Sequence, residues 1–515
     1  MTELRTNQIA ISASTPAETI MQEQSVELDY ILPDYYPDVC KLIKCFVKPS
    51  ILNESVNDNR LSYELLAEVR IFYCSENSHV LQCVTQNLHF SRTAELPPGE
   101  NMITEILPAT DYVNCRAVSR RRLDVRGAVT IRVRTISVHQ QNAISDLFGK
   151  NMQIRKIPLQ YQTKRMHTVN HIVLAEELEL GSSKPPLLHV VRCEARPVEQ
   201  NHKLVSGNLL AQGNLQIEIL YACEKENDSS LESMSFRIPY SQMIELEGVE
   251  EQDPCEVICS VASCDLKPVT DENGEIKVLR CEAELKLSCT ALRMATESLV
   301  CDAFSTEHPC EVKKTKLFTS SVPVMISELL ARNMKLNCTD GELDCVYDAW
   351  CEIKNLTTSL EAESSEICVN GMMSCFLLVR ESTGMPRLLE KEETFEHRFQ
   401  IQGLGEQDRV QLRVNAENCS YTMTSASEVT VKTELRIEGS ITHCTETEVL
   451  SEIDVQEEAE HPKHYALKLY FGRAQESIWE IAKRCHTSVE AIMEENDLVQ
   501  EQLTENSMLL IPIIH

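Results

Sequence analysis

Apolar and polar residues alternate along most of the chain from residue 26 to 445, and a period of two is typical of β-strands that bury one face. Residues 429–437, for example, read Val-Thr-Val-Lys-Thr-Glu-Leu-Arg-Ile. Turn-forming residues separate such runs at 57–59, 271–274 and 381–384, and they predict antiparallel hairpins. We therefore expect a mainly β fold made of antiparallel, sandwich-like modules.

The order of strand-like segments repeats along the chain. A strand ending in Tyr73 recurs 148 residues later with Tyr221, and more faintly with Val379. A later hairpin in each copy opens with a cysteine, at Cys115, Cys264 and Cys419. A period of about 150 residues is too long for a solenoid, whose short repeats stack continuously, so we expect three modules in tandem, like beads.

This repeat suggests a division of the chain, because at roughly 150 residues each module is long enough to bury its own core. Residues 446–460 are rich in Glu and Asp and contain no aromatic residue, which is typical of a solvated spacer. The expected parts are a flexible N-terminus at 1–25, β modules at 26–165, 166–314 and 315–450, an acidic linker at 451–464 and a small domain at 465–515.

Residues 32–39 of the first module read Leu-Pro-Asp-Tyr-Tyr-Pro-Asp-Val. The two prolines prevent regular strand pairing and favour an extended turn. One interpretation is a strap packed across the module. The other is a contact motif that presents Tyr35 and Tyr36 to a partner.

The periodicity becomes helical after the linker. Residues 477–480 and 487–490 have the Ser/Thr-x-x-Glu pattern of capping boxes, which mark helix starts. Apolar residues follow each box at three- and four-residue spacing, so two short helices should each bury a stripe. Strand-like runs flank them at 466–471 and 509–513. The order β-α-α-β predicts a small domain whose core depends on Trp479.

These residues resemble the LysM domain, a carbohydrate-binding module, at 478–484, 487–492, Asn496 and the closing Ile511-Pro512. The resemblance implies a ligand, usually an N-acetylglucosamine polymer, held between the loop after the first strand and the loop after the second helix. Where the family has Gly-Asp-Thr, this chain has Gln-Glu-Ser at 475–477. Loss of the glycine limits close approach of a ligand to the backbone.

We therefore predict that the LysM domain binds a protein, with weak peptidoglycan contact as a secondary use. Its two loops and its first helix are the expected contact region. The predicted partner-binding residues are Gln475, Glu476, Ser477, Ile478, Trp479, Ile481, Asn496 and Leu498.

Charge changes the picture of possible partners. The chain has 79 acidic and 49 basic residues, and a net charge of −30 disfavours nucleic-acid binding. A basic segment around Arg120, Arg121 and Arg122 runs against this background. One interpretation is a solvated strand face neutralised by acidic neighbours. The other is a patch that contacts acidic phospholipid headgroups at a membrane surface or an acidic partner.

The chain contains 22 cysteines, none of them in a Cys-x-x-Cys pair. Many fall on apolar strand faces, as Cys281 and Cys289 do, where a reduced thiol packs as a small hydrophobe. A metal site at Cys255, Cys259 and Cys264 is the alternative, although zinc sites usually show two close Cys-x-x-Cys pairs. With no signal-peptide pattern and no membrane-length apolar run, we expect reduced thiols, no metal and a cytoplasmic protein.

No Walker loop, dinucleotide fingerprint, Gly-x-Ser-x-Gly elbow or His-Glu-x-x-His helix occurs in the sequence. We therefore expect no enzymatic activity and no cofactor. A dispersed active site on a β-sandwich is the distant alternative, since only folding would bring its residues together.

Three β modules and one LysM domain, with Leu32-Pro33 and Pro37-Asp38-Val39 in the first module, resemble the SipL family of clostridial spore-coat morphogenetic proteins. The resemblance implies a non-enzymatic scaffold made in the mother cell and placed at the outer forespore surface, in the spore coat. It also implies binding through LysM to the coat-basement ATPase and to other coat proteins. The alternative is a cell-wall protein that binds peptidoglycan or N-acetylglucosamine.

Overall fold

The computed structural model describes residues 4–14, 18–75, 81–99, 102–205, 207–225, 228–339, 341–456 and 467–512. Strands make up 78% of the structure and helices 3%, and the sheets are antiparallel. The predicted fold class, mainly β modules followed by a small βααβ domain, is confirmed.

Module one consists of two sheets. Its strands are β1 (Arg5–Ser14), β2 (Glu18–Ile31), β3 (Val39–Asn57), β4 (Arg60–Ser75), β5 (Leu81–Glu95), β6 (Met102–Ser119) and β7 (Arg122–Phe148). The first sheet has the order β3-β4-β5, and the second the order β2-β7-β6, while β1 pairs with the last part of β7. Alternate apolar side chains of the central strands, such as Leu65 and Val69 in β4 and Val125 in β7, are buried between the sheets.

Module two has the same plan. Its strands are β8 (Met152–Glu179), β9 (Leu187–Val205), β10 (Asn208–Lys225), β11 (Asp228–Glu245), β12 (Cys255–Thr270) and β13 (Ile276–Ser305). The first sheet is β9-β10-β11 and the second is β12-β13-β8. The long strands β8 and β13 are paired along almost their whole length. The start of β8 and the end of β13 extend beyond the sandwich as a two-stranded segment, which we call the outer ribbon.

In module three, the counterparts of the long strands β8 and β13 are each divided into two shorter strands. Its strands are β14 (Cys310–Ser320), β15 (Val324–Asn337), β16 (Leu343–Glu361), β17 (Glu366–Glu381), β18 (Pro386–Gln400), β19 (Arg409–Ser425), β20 (Glu428–Thr442) and β21 (Cys444–Val455). The sheets are β16-β17-β18 and β15-β20-β19, and β14 with β21 forms the outer ribbon.

The repeat seen in the sequence corresponds to equivalent strands. The hydroxyl of Tyr73 in β4 donates to the carbonyl of Pro37 at 3.1 Å, and that of Tyr221 in β10 donates to the carbonyl of Pro185 at 3.3 Å. Both rings are fully buried. Tyr73 therefore holds the segment between β2 and β3 onto module one. Tyr221 holds the equivalent segment, between β8 and β9, onto module two.

The modules share two hydrophobic clusters and are not independent beads. The first cluster joins the outer ribbons and includes Ile11, Ala143, Leu159, Leu299, Leu317 and Val449. The second joins the first sheets and includes Phe72, Leu220, Trp350 and Phe376. Phe46 of module one packs edge-on against Phe376 of module three, with ring centroids 5.1 Å apart. The tandem order is thus folded back into one body of three packed modules, which the sequence period alone does not reveal.

Ion pairs also cross the boundaries between the modules. They are Arg70–Glu194 at 3.1 Å, Arg192–Asp348 at 2.9 Å and Lys44–Glu390 at 2.5 Å. Burial would raise the pKa of Glu194, but the positive charges of Lys48 and Arg70 lower that pKa to about 2. Glu194 therefore stays ionised between modules one and two.

The module boundaries differ from those expected. Residues 5–14 and 18–25 are not a flexible segment, because they lie in strands paired with β7 that bury Ile11 and Ala13. Modules two and three begin at Met152 and Cys310, where the outer ribbons start. Strand β21 continues to Val455, inside the expected linker, and residues 457–464 of that linker lie outside the described residues.

The C-terminal domain has the predicted order of elements, namely β22 (Leu467–Gly472), α1 (Ile478–Cys485), α2 (Val489–Glu495) and β23 (Ser507–Pro512). The two strands pair antiparallel, and both helices pack on one face of this small sheet. The domain core contains Ile478, Ile481, Ile492 and Ile511, each at most 1% exposed.

Candidate functional site

The helix starts of the LysM domain differ in detail from the predicted capping boxes. Ser477 precedes α1, but its side chain makes no capping hydrogen bond. Ser488, not Thr487, caps α2, and its hydroxyl accepts from the backbone N–H of Ala491 at 3.1 Å. The Thr487 hydroxyl instead donates to the carbonyl of Pro512 at 2.7 Å, which ties the second helix to the last strand.

Several of the predicted partner-binding residues form the domain interior. Ile478 and Ile481 are 0% exposed because their helix stripe faces the domain core, and Trp479 is 5% exposed because its ring also lies against Asp302 and Phe304 of β13. Asn496 joins α2 to β23, since its amide donates to the carbonyls of Ile492 and Leu510 and its oxygen accepts from the N–H of Leu510. These residues hold the domain together and present little surface to a partner.

The remaining predicted residues lie in or near the two loops of the domain. Gln475 is exposed and has φ of 69°, the left-handed conformation that favours glycine. Its N–H donates to the carbonyl of Leu503 at 2.7 Å, and the N–H of Leu503 donates to the carbonyl of Glu476 at 3.0 Å. Ser477 forms an isolated bridge with Gln502 in the second loop. The loops that would hold a glycan in the LysM family are therefore bonded to each other.

Glu476 connects the first loop to the first strand and helix. Its carboxylate accepts from the hydroxyl of Tyr470 at 2.6 Å and from the N–H of Arg473 at 3.0 Å, and it forms an ion pair with Arg484. The hydrogen bonds from Tyr470 and Arg473 lower the pKa of Glu476. Leu498 packs half-buried against the core.

The LysM domain is docked on module two through α1. The indole N–H of Trp479 donates to Asp302 of β13 at 2.8 Å, and Nζ of Lys483 lies 2.8 Å from both oxygens of the same carboxylate. Phe304 packs edge-on against the Trp479 ring, with centroids 5.1 Å apart. Arg155 lies over that ring and pairs with Glu501 at 3.1 Å.

Asp302 is the centre of this interface. Its side chain is only 11% exposed, and burial by itself would raise its pKa. The hydrogen bonds from Lys483 and Trp479 outweigh burial and lower the pKa of Asp302 below its ordinary value. The carboxylate is therefore ionised at neutral pH and joins two side chains of the LysM domain to module two.

A surface that the sequence analysis did not single out lies on the opposite side of the domain. Five outward side chains of β22 and β23 are large, apolar and exposed, and they are Leu467, Leu469, Phe471, Met508 and Leu510. Their exposed fractions range from 37% for Leu510 to 76% for Phe471. Leu469 faces Leu510 and Phe471 faces Met508 across the two strands. We call these five residues the outer LysM face.

The arginines of the predicted anionic-contact patch are bound to their own module. The guanidinium group of Arg121 donates to the carboxylate of Asp38 at 2.6 Å and to the carbonyls of Leu32 and Pro33 at 3.0 and 2.7 Å. Arg122 forms a two-pronged ion pair with Asp29. The contacts of Arg121 hold residues 32–38 as a strap.

Other contacts of this region fit the same description. The N–H of Val39 donates to the carbonyl of Arg120, and Leu32 is buried. Tyr35 is 80% exposed, whereas Tyr36 is half-buried. Internal acidic groups thus compensate much of the basic charge, and contact of Arg120, Arg121 and Arg122 with anionic lipid or an acidic partner stays a prediction.

Metal binding was one alternative for the cysteines. Cys255, Cys259 and Cys264 lie spaced along β12, and within the described residues no group of three or more His, Cys, Asp or Glu side chains is arranged to hold a metal ion. All 22 cysteines are free thiols. No helix within the described ranges is long and apolar enough to cross a membrane.

Comparison with known families assigns two parts of the chain. The family model described as SipL, SPOCS domain matches residues 186–269, which span β9 to β12 of module two. The LysM domain model matches residues 473–512. The chain is SipL-like and carries a C-terminal LysM domain. No curated protein and no solved structure matches it.

The SPOCS match covers one sheet of module two and the strand that begins the next hairpin. The equivalent strands are β3 to β6 in module one and β16 to β19 in module three. The SipL and LysM families are non-catalytic. A SPOCS domain together with a LysM domain fits a sporulation-associated protein.

Proposed function

We propose that this protein is a non-enzymatic scaffold of endospore coat assembly. It binds a coat-basement morphogenetic ATPase through its LysM domain and acts on the mother-cell side of the outer forespore surface. The SPOCS and LysM matches support the role in sporulation. The resemblance to the SipL family supplies the identity of the partner. The observation that carries partner binding is the outer LysM face.

The outer LysM face has the character of a protein-binding surface. Five large apolar side chains on two adjacent strands form one continuous patch, with Phe471 at 76% exposure and Met508 at 61%. Contiguous apolar surface of this kind is unfavourable in water and marks sites that a protein partner covers. An exposed aromatic ring surrounded by aliphatic side chains is also a typical hot spot of protein interfaces. A polar glycan would leave such a surface poorly matched.

Docking on module two leaves the outer LysM face uncovered by the described residues. Module two contacts α1 through Trp479 and Lys483, whereas the outward side chains of β22 and β23 point away from both helices. A partner can therefore bind the LysM domain while this domain remains attached to the three-module body. In this arrangement the LysM domain holds the ATPase, and the body is available for other coat proteins.

The three-module body offers one kind of surface for such contacts. The last strands of the first sheets, namely β5, β11 and β18, lie against β9, β16 and β3 of the neighbouring modules. In the second sheets, β2, β8 and β15 lie at an edge. Edge strands present unpaired backbone groups that a strand of another protein can join. We propose these edges as sites for further coat proteins or for other copies of the chain.

Peptidoglycan binding is the second candidate, because LysM domains commonly bind peptidoglycan. Two observations weigh against it in this chain. Gln475 replaces the family glycine at a left-handed position, and the second loop is held against module two by the ion pair of Arg155 with Glu501. A glycan chain entering between the loops would meet both side chains.

The proposal is tested with the full chain and two matched variants. Phe471→Glu places a charge on the outer LysM face, whereas Val499→Glu alters another highly exposed apolar residue, 93% exposed, outside that face. We expect the unmodified chain and Val499→Glu to co-purify with the ATPase from sporulating cells and Phe471→Glu to lose it. Two results together would instead favour the cell-wall function. The protein would sediment with purified peptidoglycan, and all three proteins would recover the same amount of ATPase.

A further inference from the structure

Cysteines of opposite sheets meet inside module three. The Sγ atoms of Cys351 in β16 and Cys419 in β19 are 3.9 Å apart. The two strands belong to different sheets of the sandwich, so this contact crosses the core. Both thiols are free and both side chains are half-buried. They are close enough for side-chain rotation to bring the sulfur atoms together.

The same arrangement occurs at equivalent strands of the other modules. The pairs are Cys45 of β3 with Cys115 of β6, and Cys193 of β9 with Cys264 of β12. In each pair the second thiol is near enough to raise the pKa of the first. Cys45 and Cys193 have equivalent register positions, because each pairs in its sheet with the residue two before the buried tyrosine. That residue is Ile71 in module one and Ile219 in module two. In module three Cys351 instead pairs with Cys375, four residues before Val379. The three modules therefore share a cysteine pair between the same two strands, although the register position differs in module three.

We propose that these three thiol pairs are oxidation sites, at which a peroxide joins the two sheets of each module by one disulfide. The inference does not depend on the identity of the LysM partner. Inter-sheet disulfides are compatible with this architecture, since sandwich domains of the immunoglobulin type carry one at their centre. A disulfide needs the two Cβ atoms about 4 Å apart and a sulfur–sulfur bond of about 2 Å. Thiols already in contact across a core require only a small local movement.

The reaction uses hydrogen peroxide as the oxidant. The sulfur of Cys351 attacks one peroxide oxygen, the O–O bond breaks, and a sulfenic acid and one water form. The sulfur of Cys419 then attacks the sulfenic sulfur, the S–O bond breaks, and a second water leaves with the disulfide. Two thiols thus lose two electrons and two protons, and one peroxide becomes two waters.

The environment of module three suits this order of steps. Hydrogen bonds from Cys375 and Cys419 lower the pKa of Cys351, which favours the thiolate that attacks peroxide. The hydrogen bond to Cys351 and burial raise the pKa of Cys419, which therefore stays a thiol until the sulfenic acid forms. The pair is stable in reducing surroundings and is crosslinked when an oxidant arrives. The crosslink is internal, so oxidation would strengthen each module without joining separate chains.

Mass spectrometry of the full chain tests the proposal. The reduced protein is treated with hydrogen peroxide, remaining thiols are alkylated, and the chain is digested without reductant. We expect three crosslinked peptide pairs, Cys45–Cys115, Cys193–Cys264 and Cys351–Cys419, each two hydrogen masses lighter than its reduced parts and each lost on reduction.

In the Cys419→Ser variant the third crosslink should disappear while the other two remain. The matched control is Cys301→Ser, because the Cys301 thiol donates to the carbonyl of Arg155 at 3.4 Å. That variant should keep all three crosslinks.

Two results obtained with the unmodified chain would overturn the inference. Because this chain carries no substitution, impaired folding cannot explain them. One is sulfinic or sulfonic acid at these cysteines without inter-sheet disulfides. The other is pairing of Cys351 with Cys375, its neighbour in the same sheet, or disulfides between chains.

Discussion

Replacing Asp302 by alanine is expected to release the LysM domain from module two. This carboxylate accepts hydrogen bonds from the Trp479 indole and from Lys483, all at 2.8 Å, and Phe304 covers the adjacent ring. Without the carboxylate, the indole N–H and the ammonium group of the docked domain lose their acceptor. Both groups regain water when the domain undocks, so the substitution favours the undocked state.

The size of the effect follows from these contacts. A hydrogen bond to a charged group contributes about 1.5–3 kcal/mol. The Lys483 side chain is 34% exposed, so solvent screens its ion pair and we assign it the lower end of that range. Together the two partners contribute about 3 kcal/mol, which corresponds to a roughly hundredfold shift from docked to undocked molecules.

Acrylamide quenching of tryptophan fluorescence measures this shift. The chain has two tryptophans, so a Trp350→Phe background leaves Trp479 as the only reporter. In that background Asp302→Ala should make Trp479 more accessible to acrylamide and increase the radius of gyration measured by X-ray scattering. Asp265→Ala is the matched control, because Asp265 is exposed on β12. Unchanged quenching and an unchanged radius in Asp302→Ala would refute the proposed role of this carboxylate.

Three further outcomes follow from the structure. Because the pKa of Asp302 is lowered, its contribution to docking is complete above the ordinary carboxyl pKa of about 4 and is lost as the pH falls through the lowered value. Trp479 quenching should therefore be constant from pH 7 to about 5 and rise only in stronger acid, and a transition near pH 6 would contradict this. Gln475→Gly should stabilise the LysM domain by up to about 1 kcal/mol in calorimetry, because φ at this position is positive and glycine adopts such a φ without strain. A loss of stability would show that Gln475 is not strained in this conformation. Glu194→Gln should lower the free energy of unfolding in urea by about 2 kcal/mol, because Lys48 loses its ion pair and Arg70 keeps only Glu68 as a carboxylate partner. An unchanged midpoint would show that the ion pairs of Glu194 contribute little.

Much of the fold follows from local patterns in the sequence. The period-two alternation in residues 429–437 predicts β20, and the Asp-Glu-Asn-Gly turn at 271–274 lies between β12 and β13 as expected. The tyrosine near the end of β4 and of β10 identifies equivalent strands, because its buried hydroxyl donates to a proline carbonyl in both module one and module two. Packing of the modules on one another was not predictable, since it depends on contacts such as Phe46 of module one with Phe376 of module three, which are far apart in the sequence.

The candidate site was only partly predictable. The LysM pattern locates the domain, but the residues that define a family pattern include its core, and Ile478 and Ile481 are buried for that reason. A clearer signal was present in β23, where outward Met508 is apolar although inward Leu509 and Ile511 already supply the core, and in the apolar outward positions of β22 such as Phe471. A strand with two apolar faces in a small domain predicts a covered surface.

The affinity of the purified full chain for the purified coat-basement ATPase tests the central proposal most directly. We expect saturable binding by calorimetry, weakened at least about thirtyfold by Phe471→Glu, as for a hot-spot residue worth 2 kcal/mol or more. Val499→Glu should bind within about twofold of the unmodified chain, because its position lies outside the outer LysM face and a surface substitution changes little. Equal affinities of all three proteins would place the contact elsewhere, and absence of ATPase binding together with binding to peptidoglycan would contradict the scaffold function.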